Sequence, residues 1–457
     1  MRKVVKTLVY ALIILSLSSG VRQPYSFAIS NPPEINGETA VLIDARTGAI
    51  LYEKDKDALR EPASTTKIMT CLLALENLTL DTVITIDAES PFTGGSRIYI
   101  LEGEELTVEQ LLHALMLESA NDTAVALAIA ISGSVEEFVS LMNDRARRLG
   151  AKNPHFENPN GLHSPGHFAS AYDLALIAQE ALKNNDFRKL VTTISYTIPE
   201  TNKQPERAYI YNTNRMLYDE ATKVTVRGMM TPIKYEGVTG VKTGFTPQAG
   251  GTLVASAQRD GTELIAVVLA STDLGRFADC ISLLDYGFDN FYTYMAVDSS
   301  VKLEDIKVKR GASRFTDVKI SEDRYITLPG EASSSLVTTK IVIDEDVTAP
   351  VGEGQTVGKV EIYEGGERIG EVDVVALTEV PEGGFLSMFG IEDSVSEIIN
   401  KTLIVLACVA AFLLFAYIIL RVRRERRRKK RRAKRALEIA RERERKRLET
   451  EQRRWPY

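Results

Sequence analysis

The sequence predicts an α+β body followed by a small all-β domain, one transmembrane helix and a basic tail. Two alternating strand patterns around "RTG", within residues 39–54, precede a series of helical patterns, and further alternating strands and a last helix follow them. From Val297 to Leu377, helical periodicity gives way to short alternating runs. An uncharged apolar run, Leu403 to Leu420, then leads into a strongly basic end.

Charge is distributed very unevenly along the chain. The 457 residues exceed what one hydrophobic core usually supports, and 44% apolar with 26% charged residues is typical of globular proteins. From Arg421 to Tyr457 there are 19 Lys and Arg against six Glu, a net charge of +13. Since the whole chain has a net charge of −6, the rest of it has a net charge of −19. The basic end suits an anionic surface, and the remainder is an acidic body.

Both ends of the chain carry membrane signals. The start, "MRKVVKTLVYALIILSLSSG", has a basic flank and an apolar run, and "SFA" ending at Ala28 suits a signal-peptidase site. The 18 residues from Leu403 to Leu420 would extend roughly 27 Å as a helix, enough for a hydrocarbon core. A buried core helix is the alternative, but "RVRRERRRKKRRAKR" follows at once, and the positive-inside rule makes that tail cytoplasmic.

These signals predict the organisation of the chain. Helical patterns at 64–77, 107–117, 121–132, 134–149 and 170–183 belong to the body, which ends with a helix over "RFADCISLLDYGFDNFY". The predicted segments are a signal peptide at 1–28, the body at 29–296, a small β domain at 297–378, a linker at 379–402, the transmembrane helix at 403–420 and the basic tail at 421–457.

The stretch "EPASTTKIMTCLLALENL", Glu61 to Leu78, places Ser64 three residues before Lys67. On a helix these positions share a face, so the amine would lie one turn from the hydroxyl. Capping is the commoner use of such a serine. If Ser64 is a nucleophile, the helix start would also offer it the positive end of the dipole and a free backbone N–H for an oxyanion.

Two later motifs complete the set. "ESANDTA" supplies Ser119 and Asn121 between two apolar helices, where they could also serve only as helix end and cap. "VKTGF" supplies Lys242, Thr243 and Gly244 inside an apolar strand, where a cation is unusual and a glycine would let an extended peptide approach. The alternative is an edge-strand lysine that opposes aggregation. Each motif alone is ambiguous, but the three together, in this order and on these element types, are not.

The serine–lysine, second-serine and K-T-G set is that of penicillin-binding proteins and class A β-lactamases. The chain resembles the low-molecular-mass serine-type D-alanyl-D-alanine carboxypeptidases among the penicillin-binding proteins, from about residue 37 to 377. The stretches "NPNGLHSPGHFASAYDLALIA" (158–178), "NTNRML" (212–217) and "GRFADCISLLDYGF" (275–288) support this. The resemblance implies a transpeptidase body like that of penicillin-binding proteins and β-lactamases for residues 29–296, with an antiparallel sheet and a helical lobe.

The resemblance implies a role for each motif. Ser64 would attack the carbonyl between two terminal D-alanines and form an acyl-enzyme. Lys67 would accept its proton, which requires a neutral amine, and repulsion from Lys242 together with burial would favour that form. Ser119 would relay a proton between the lysines and the leaving amine. Asn121 would hold the substrate amide and the Lys67 ammonium.

The same resemblance extends to the oxyanion hole and the carboxylate site. The backbone N–H groups of Ser64 and Phe245 would bind the oxyanion, with Gly244 beside them. Lys242 and Thr243 are placed to bind the terminal carboxylate of the substrate, and the resemblance assigns Arg276 to that carboxylate as well. From its position alone, Arg276 could also be a surface residue at a helix start.

No cofactor or metal is expected. His163 and His167 stand in "GLHSPGH", where Pro165 and Gly166 prevent a regular helix, so a loop packed under the active site is favoured over a zinc site. The expected partners are a peptidoglycan stem peptide ending in D-Ala-D-Ala, β-lactam antibiotics as covalent inhibitors, and the membrane through one C-terminal span. The tail could bind nucleic acid on charge alone, but directly after a span an anionic lipid or a cytoplasmic partner is favoured.

The predicted activity is removal of the C-terminal D-alanine from stem pentapeptides, in cell-wall biogenesis. A β-lactamase is disfavoured because "FENPNGL" has Glu157 but no E-x-x-L-N pattern. The same residues could support a D,D-endopeptidase or transpeptidase. An inactive muropeptide-binding receptor is the remaining alternative, and the intact catalytic set argues against it. A span with a cytoplasmic tail departs from this family, whose members more often end in an amphipathic helix on the outer membrane face.

Overall fold

The computed structural model describes residues 31–452, which form two compact units. The first unit contains the residues up to Val297 together with Asp323–Thr338 and Ile362–Arg368. The second contains Asp298–Glu322, Thr339–Glu361 and the chain from Ile369 onward. The predicted signal peptide lies outside the described residues, and the predicted domain boundaries remain a prediction.

The helices and strands follow the predicted α+β order. The α-helices are α1 (Lys67–Asn77), α2 (Val108–His113), α3 (Asn121–Ser132), α4 (Val135–Arg148), α5 (Ala171–Ala181), α6 (Asn185–Thr192), α7 (Gly275–Asn290) and α8 (Asp393–Gln452). The strands are β1 (Thr39–Asp44), β2 (Ile50–Lys54), β3 (Val83–Thr85), β4 (Glu105–Thr107), β5 (Ser195–Ile198), β6 (Arg207–Tyr211), β7 (Lys223–Val226), β8 (Met229–Pro232), β9 (Val238–Thr246), β10 (Gly250–Arg259), β11 (Thr262–Ser271), β12 (Phe291–Val297), β13 (Ile306–Lys307), β14 (Phe315–Thr316), β15 (Val318–Ile320), β16 (Arg324–Pro329), β17 (Val337–Ile343), β18 (Thr356–Glu364) and β19 (Glu367–Ala376).

A five-stranded antiparallel sheet in the order β2-β1-β11-β10-β9 is the centre of the first unit. Alternate residues of its strands point to opposite faces, so each face is covered by its own hydrophobic core. Val41 and Ile43 of β1 pack into the core of the helical lobe, which includes α1 and α5. Ala40 and Leu42 pack into a second core with α7. The α+β fold class is therefore confirmed.

Several local predictions need correction. The predicted helix over 107–117 consists of α2, begun by a Thr107–Gln110 capping box, and a π-helical turn over Ala114–Glu118. The helix predicted from residue 64 begins at Lys67, after a 3₁₀ turn. Helix α6 and the β5–β6 hairpin were not predicted, because the segments are short: eight residues in α6, four in β5 and five in β6.

The second unit contains most of the four-stranded sheet β15-β19-β18-β17 and the long helix α8. Helix α8 has 60 residues, and the apolar run of 403–420 lies inside it, so the end of the predicted linker is already helical. The helix is long and apolar enough to cross a membrane. Its basic part is supported by ion pairs one turn apart, such as Arg421–Glu425 and Arg445–Glu449.

Candidate active site

Ser64 lies in the 3₁₀ turn Ala63–Thr66 and does not cap helix α1. Neither the turn nor the helix has a side-chain cap bond at its start, so Ser64 does not have the capping role that is the commoner use of such a serine. Ala63 has a φ of 47°, a left-handed conformation that a non-glycine residue adopts at a cost. The serine hydroxyl is therefore left free for another partner.

That partner is the amine of Lys67, which is completely buried. Its Nζ lies 3.0 Å from Ser64 Oγ, 2.6 Å from Asn121 Oδ1 and 2.6 Å from the carbonyl oxygen of Asn160. The amide of Asn121 is oriented by its own Nδ2, which donates to the Gly94 carbonyl at 2.8 Å. Three oxygens from three separate chain segments thus fix the position of one amine.

The pKa values of both site lysines are depressed. Burial, and then repulsion from Lys242, hold the pKa of Lys67 well below its usual range. Burial, and then repulsion from Arg276, lower the pKa of Lys242 to about 7. The repulsion predicted between the lysines is present, but desolvation is the larger cause in each case.

Ser119 and Asn121, from the second motif, lie where the π-helical turn meets α3. Ser119 is left-handed, with a φ of 62°, and its buried Oγ has no hydrogen-bond partner within the described part of the chain. The N-cap position of α3 is Ala120, so Asn121 is the first helical residue and not a helix cap, the alternative to its predicted role in the site. Its side chain turns to Lys67, and its backbone N–H donates to the Ser96 carbonyl at 2.7 Å.

Lys242, Thr243 and Gly244 lie in β9, the outermost strand of the sheet. A Cβ at Gly244 would lie 2.9 Å from the Ser64 nitrogen, so only glycine permits this approach of strand and turn. Lys242 Nζ donates to the Thr243 carbonyl at 3.1 Å, and Thr243 Oγ1 donates to Thr213 Oγ1 at 2.7 Å. The structure therefore brings the first and third motifs together.

Phe245 and Arg276 lie next to the K-T-G residues of β9. Phe245 follows Gly244 in β9, and its side chain is largely exposed. Arg276 is buried at the start of α7, so it is not a surface residue. Its Nη1 donates to the Gly244 carbonyl at 2.7 Å, and its Nη2 lies 2.7 Å from Asp273 Oδ1. Arg276 is thus fixed directly behind the K-T-G strand.

Several contributors to the site were missed in the sequence. The carbonyl of Asn160 holds Lys67, and Gly161, with a φ of +82°, packs so closely on the Ala63 carbonyl that a Cβ would overlap it. Thr213 bonds the side chain of Thr243. A backbone carbonyl has no residue signature, so only the "NPNGL" and "NTN" runs could have drawn attention to these loops.

His167 supports the site from below, as the predicted loop packing requires. The backbone N–H of Glu157 donates to His167 Nδ1 at 3.0 Å, so the ring proton is on Nε2, which donates to Thr66 Oγ1 at 2.8 Å. Burial lowers the pKa of His167 to about 4, so the ring is neutral at physiological pH. The imidazole therefore links the 155–167 loop to the residue before Lys67.

Comparison with known proteins identifies the family. The sequence matches the family described as D-alanyl-D-alanine carboxypeptidase over residues 26–273. It is 33% identical over 394 residues to D-alanyl-D-alanine carboxypeptidase DacF of Bacillus subtilis (strain 168), covering 85% of this chain and 97% of that relative. The chain belongs to the D-alanyl-D-alanine carboxypeptidase family. It is also 30% identical to DacD of Escherichia coli (strain K12), covering 82% of this chain and 95% of that relative.

Solved structures agree with this membership. Penicillin binding protein 5 from Haemophilus influenzae gives a TM-score of 0.63 at 30% identity and covers 77% of this chain and 99% of its own. The Streptomyces K15 DD-transpeptidase gives 0.51 at 34% identity and covers 57% and 99%. Residues 292–382 match the penicillin-binding protein 5 C-terminal domain. The predicted family and the two-domain fold are confirmed, and the chain is a serine-type hydrolase.

Proposed function

We propose that this carboxypeptidase-family chain removes the C-terminal D-alanine from peptidoglycan stem pentapeptides through an acyl-enzyme on Ser64. The observation that carries the proposal is the geometry around Lys67 Nζ. Two of its three neighbours, Asn121 Oδ1 and the Asn160 carbonyl, can only accept hydrogen bonds. A neutral amine uses its two N–H groups on them, and its lone pair is then directed to the Ser64 hydroxyl at 3.0 Å.

Lys67 is therefore the general base for the attack of Ser64 on the peptide carbonyl. Burial and the neighbouring cation depress its pKa and favour the neutral form that this role needs. The Ser64 Oγ–carbonyl bond forms as the proton moves to Lys67. Oxyanion stabilisation is assigned to the backbone N–H groups of Ser64 and Phe245, because Gly244 allows strand and turn to approach closely.

The leaving D-alanine needs a proton on its amine when the peptide bond breaks. Ser119 suits that transfer, because its buried hydroxyl has no other partner within the described residues. It would give its proton to the amine and take one from the Lys67 ammonium, which leaves Lys67 neutral again. The terminal carboxylate of the leaving D-alanine would be bound by Lys242 and Thr243. Arg276 lies behind them and donates to the Gly244 carbonyl. Water then attacks the ester carbonyl while the neutral Lys67 takes its proton, and that proton passes to Ser64 Oγ as the ester bond breaks and the shortened peptide leaves.

β-Lactams would acylate the same serine, and the adduct would be long-lived. A D,D-transpeptidase is a second candidate, because the Streptomyces K15 structure carries that name and the two reactions differ only in the acceptor. An endopeptidase would use the same residues on a crosslinked peptide.

The proposed setting is the outer face of a cell membrane. Residues 1–28 would direct export, residues 29–296 would form the catalytic domain, and the β domain at 297–378 would space it from the membrane. The run of 403–420 would cross the membrane and leave 421–457 in the cytoplasm, consistent with its charge. There the enzyme would act in cell-wall biogenesis and affect cell shape.

The test is D-alanine release from diacetyl-L-Lys-D-Ala-D-Ala by the detergent-solubilised chain beside a Ser64→Ala variant. We expect release and penicillin labelling by the parent, and neither by the variant. Labelling of the parent without release from this peptide would favour the transpeptidase. Release that persists in Ser64→Ala would reject the assigned nucleophile.

A further inference from the structure

A cavity of about 290 Å³ lies directly beside the second motif in the first unit. It is lined by Arg97, Ile98, Glu118, Arg207, Tyr209 and Ile210. Glu118 is the residue before Ser119, and its carboxylate accepts the backbone N–H of Tyr211 in β6. The mechanism above uses none of the cavity's side chains.

The cavity walls are tied to the catalytic residues. The backbone N–H groups of Ile98 and Ile100 are directed to the buried carboxylate of Asp122, which follows Asn121. On the other side, β6 leads within two residues to Thr213, whose hydroxyl accepts from Thr243. The cavity is therefore held in register with the active site by both of its walls.

The charges that face this cavity are incompletely paired. Arg207 gives its Nη2 to the buried carboxylate of Glu104, while its buried Nε and Nη1 have no partner within the described part of the chain. Arg97 lies over the ring of Tyr99 at 4.9 Å; its Nη1 is 3.5 Å from the Pro91 carbonyl, and its buried Nε also lacks a partner among those residues. No ion pair of the described residues includes Arg97 or Glu118. Burial raises the pKa of Glu118, and the charge of Lys242 opposes this rise.

Arg97 and Glu118 face one small cavity and form no ion pair among the described residues, so they suit a ligand that carries both charges. We propose that this cavity binds the side chain of the residue preceding D-Ala-D-Ala, and that it favours a side chain ending in an ammonium and a carboxylate, as in a 2,6-diaminopimelyl residue. The carboxylate lies against Arg97 and Arg207, and the ammonium against Glu118. The inference rests on the proposed function, since it places the peptide in the cleft beside Ser119.

The experiment compares three pentapeptides that differ only in the third residue, which is 2,6-diaminopimelyl, 2-aminopimelyl or L-lysyl. The first carries both charges at the end of its side chain, the second only the carboxylate and the third only the ammonium. We expect kcat/KM for D-alanine release by the full chain to be about tenfold higher for the diaminopimelyl peptide than for the lysyl peptide. Arg97→Gln should remove that advantage by slowing the diaminopimelyl peptide, and Glu118→Gln should bring the diaminopimelyl and aminopimelyl peptides to similar values.

A matched control is Arg147→Gln, which removes an exposed arginine of α4 and should leave every ratio unchanged.

A second measurement needs no peptide hydrolysis. It compares the acylation rate for a penicillin with an α-aminoadipyl side chain with that for a penicillin with an adipyl side chain. We expect Glu118→Gln to remove a preference for the former. Absence of D-alanine release with every peptide would reject the proposed function and leave the penicillin ratio to decide on the cavity. Equal rates for all side chains, or ratios that Arg97→Gln and Glu118→Gln do not change, would overturn the cavity assignment.

Discussion

The two sides of the active site each hold a buried lysine, but they hold it differently. On the helical side, Lys67 Nζ has three oxygen neighbours within 3.0 Å. On the strand side, Lys242 Nζ has one good acceptor, the Thr243 carbonyl at 3.1 Å, and a long contact of 3.5 Å with Thr213 Oγ1. Both side chains are almost completely inaccessible to solvent.

The difference indicates two functions, that of a general base and that of a group that binds the substrate carboxylate. A base must be fixed relative to its proton donor, and the acceptors around Lys67 do this even without substrate. A group that binds a carboxylate gains most if its hydrogen-bonding capacity is still available when the substrate arrives. Lys242, with a pKa of about 7 and few partners, retains that capacity, and a bound carboxylate would favour its charged form.

Replacement of the two lysines should therefore have unequal effects on acylation. We expect Lys67→Met to slow acylation by a fluorescent penicillin by about 10³-fold or more, because the general base is lost. Lys242→Met should cost roughly 10–100-fold, mainly through weaker binding before the covalent step. Second-order labelling rates of the full chain, with Lys183→Met as an exposed control, measure both. An equal loss in the two variants would contradict the division of roles.

The same comparison predicts that replacing Lys242 lowers activity but raises the stability of the folded protein. Between its folded pKa of about 7 and its usual 10.5, the unfolded chain binds more protons at this residue than the folded chain. The lysine's unfavourable contribution is therefore complete below about pH 7 and fades as the pH rises towards 10.5. We expect Lys242→Met to raise the free energy of unfolding by roughly 2 kcal/mol or more at pH 6, with a gain that shrinks towards pH 10.

Calorimetry of the detergent-solubilised parent and variant at several pH values measures this gain. Lys183→Met provides the control, because its exposed ammonium loses little hydration on folding. A gain that does not change with pH would show that Lys242 keeps its usual pKa in the folded protein.

The sequence alone predicts the side chains of this site better than its backbone. Ser64 and Lys67 are three positions apart, so one turn of almost any helical type brings them together, and their contact survives the error about where α1 begins. The Lys242 strand is recognisable because a cation interrupts an apolar run. The Asn160 carbonyl depends on how a loop packs against α1, a long-range contact that no local pattern encodes. The bond from Arg276 to the Gly244 carbonyl was missed for the same reason.

The smallest predicted effect concerns the loop that contains Asn160 and Gly161. It separates the cost of a left-handed backbone at a glycine from the cost of a steric overlap. Gly161 and Gly133 both have a φ of +82°, but a Cβ at Gly133 would meet no atom within 4 Å, whereas one at Gly161 would overlap the Ala63 carbonyl. Gly133→Ala should cost about 1 kcal/mol of stability, from the left-handed backbone alone. Gly161→Ala should cost about 1–2 kcal/mol more and slow acylation about tenfold, because Ala63 and Ser64 must shift.

Unfolding free energies and penicillin labelling rates of the two variants check this. Gly133→Ala lies at the end of α3, so it should leave the labelling rate unchanged. Equal stabilities and equal labelling rates would mean that the loop yields without moving the serine. The three oxygens around Lys67 would then be a flexible arrangement, and the contrast with the strand side would lose its physical basis.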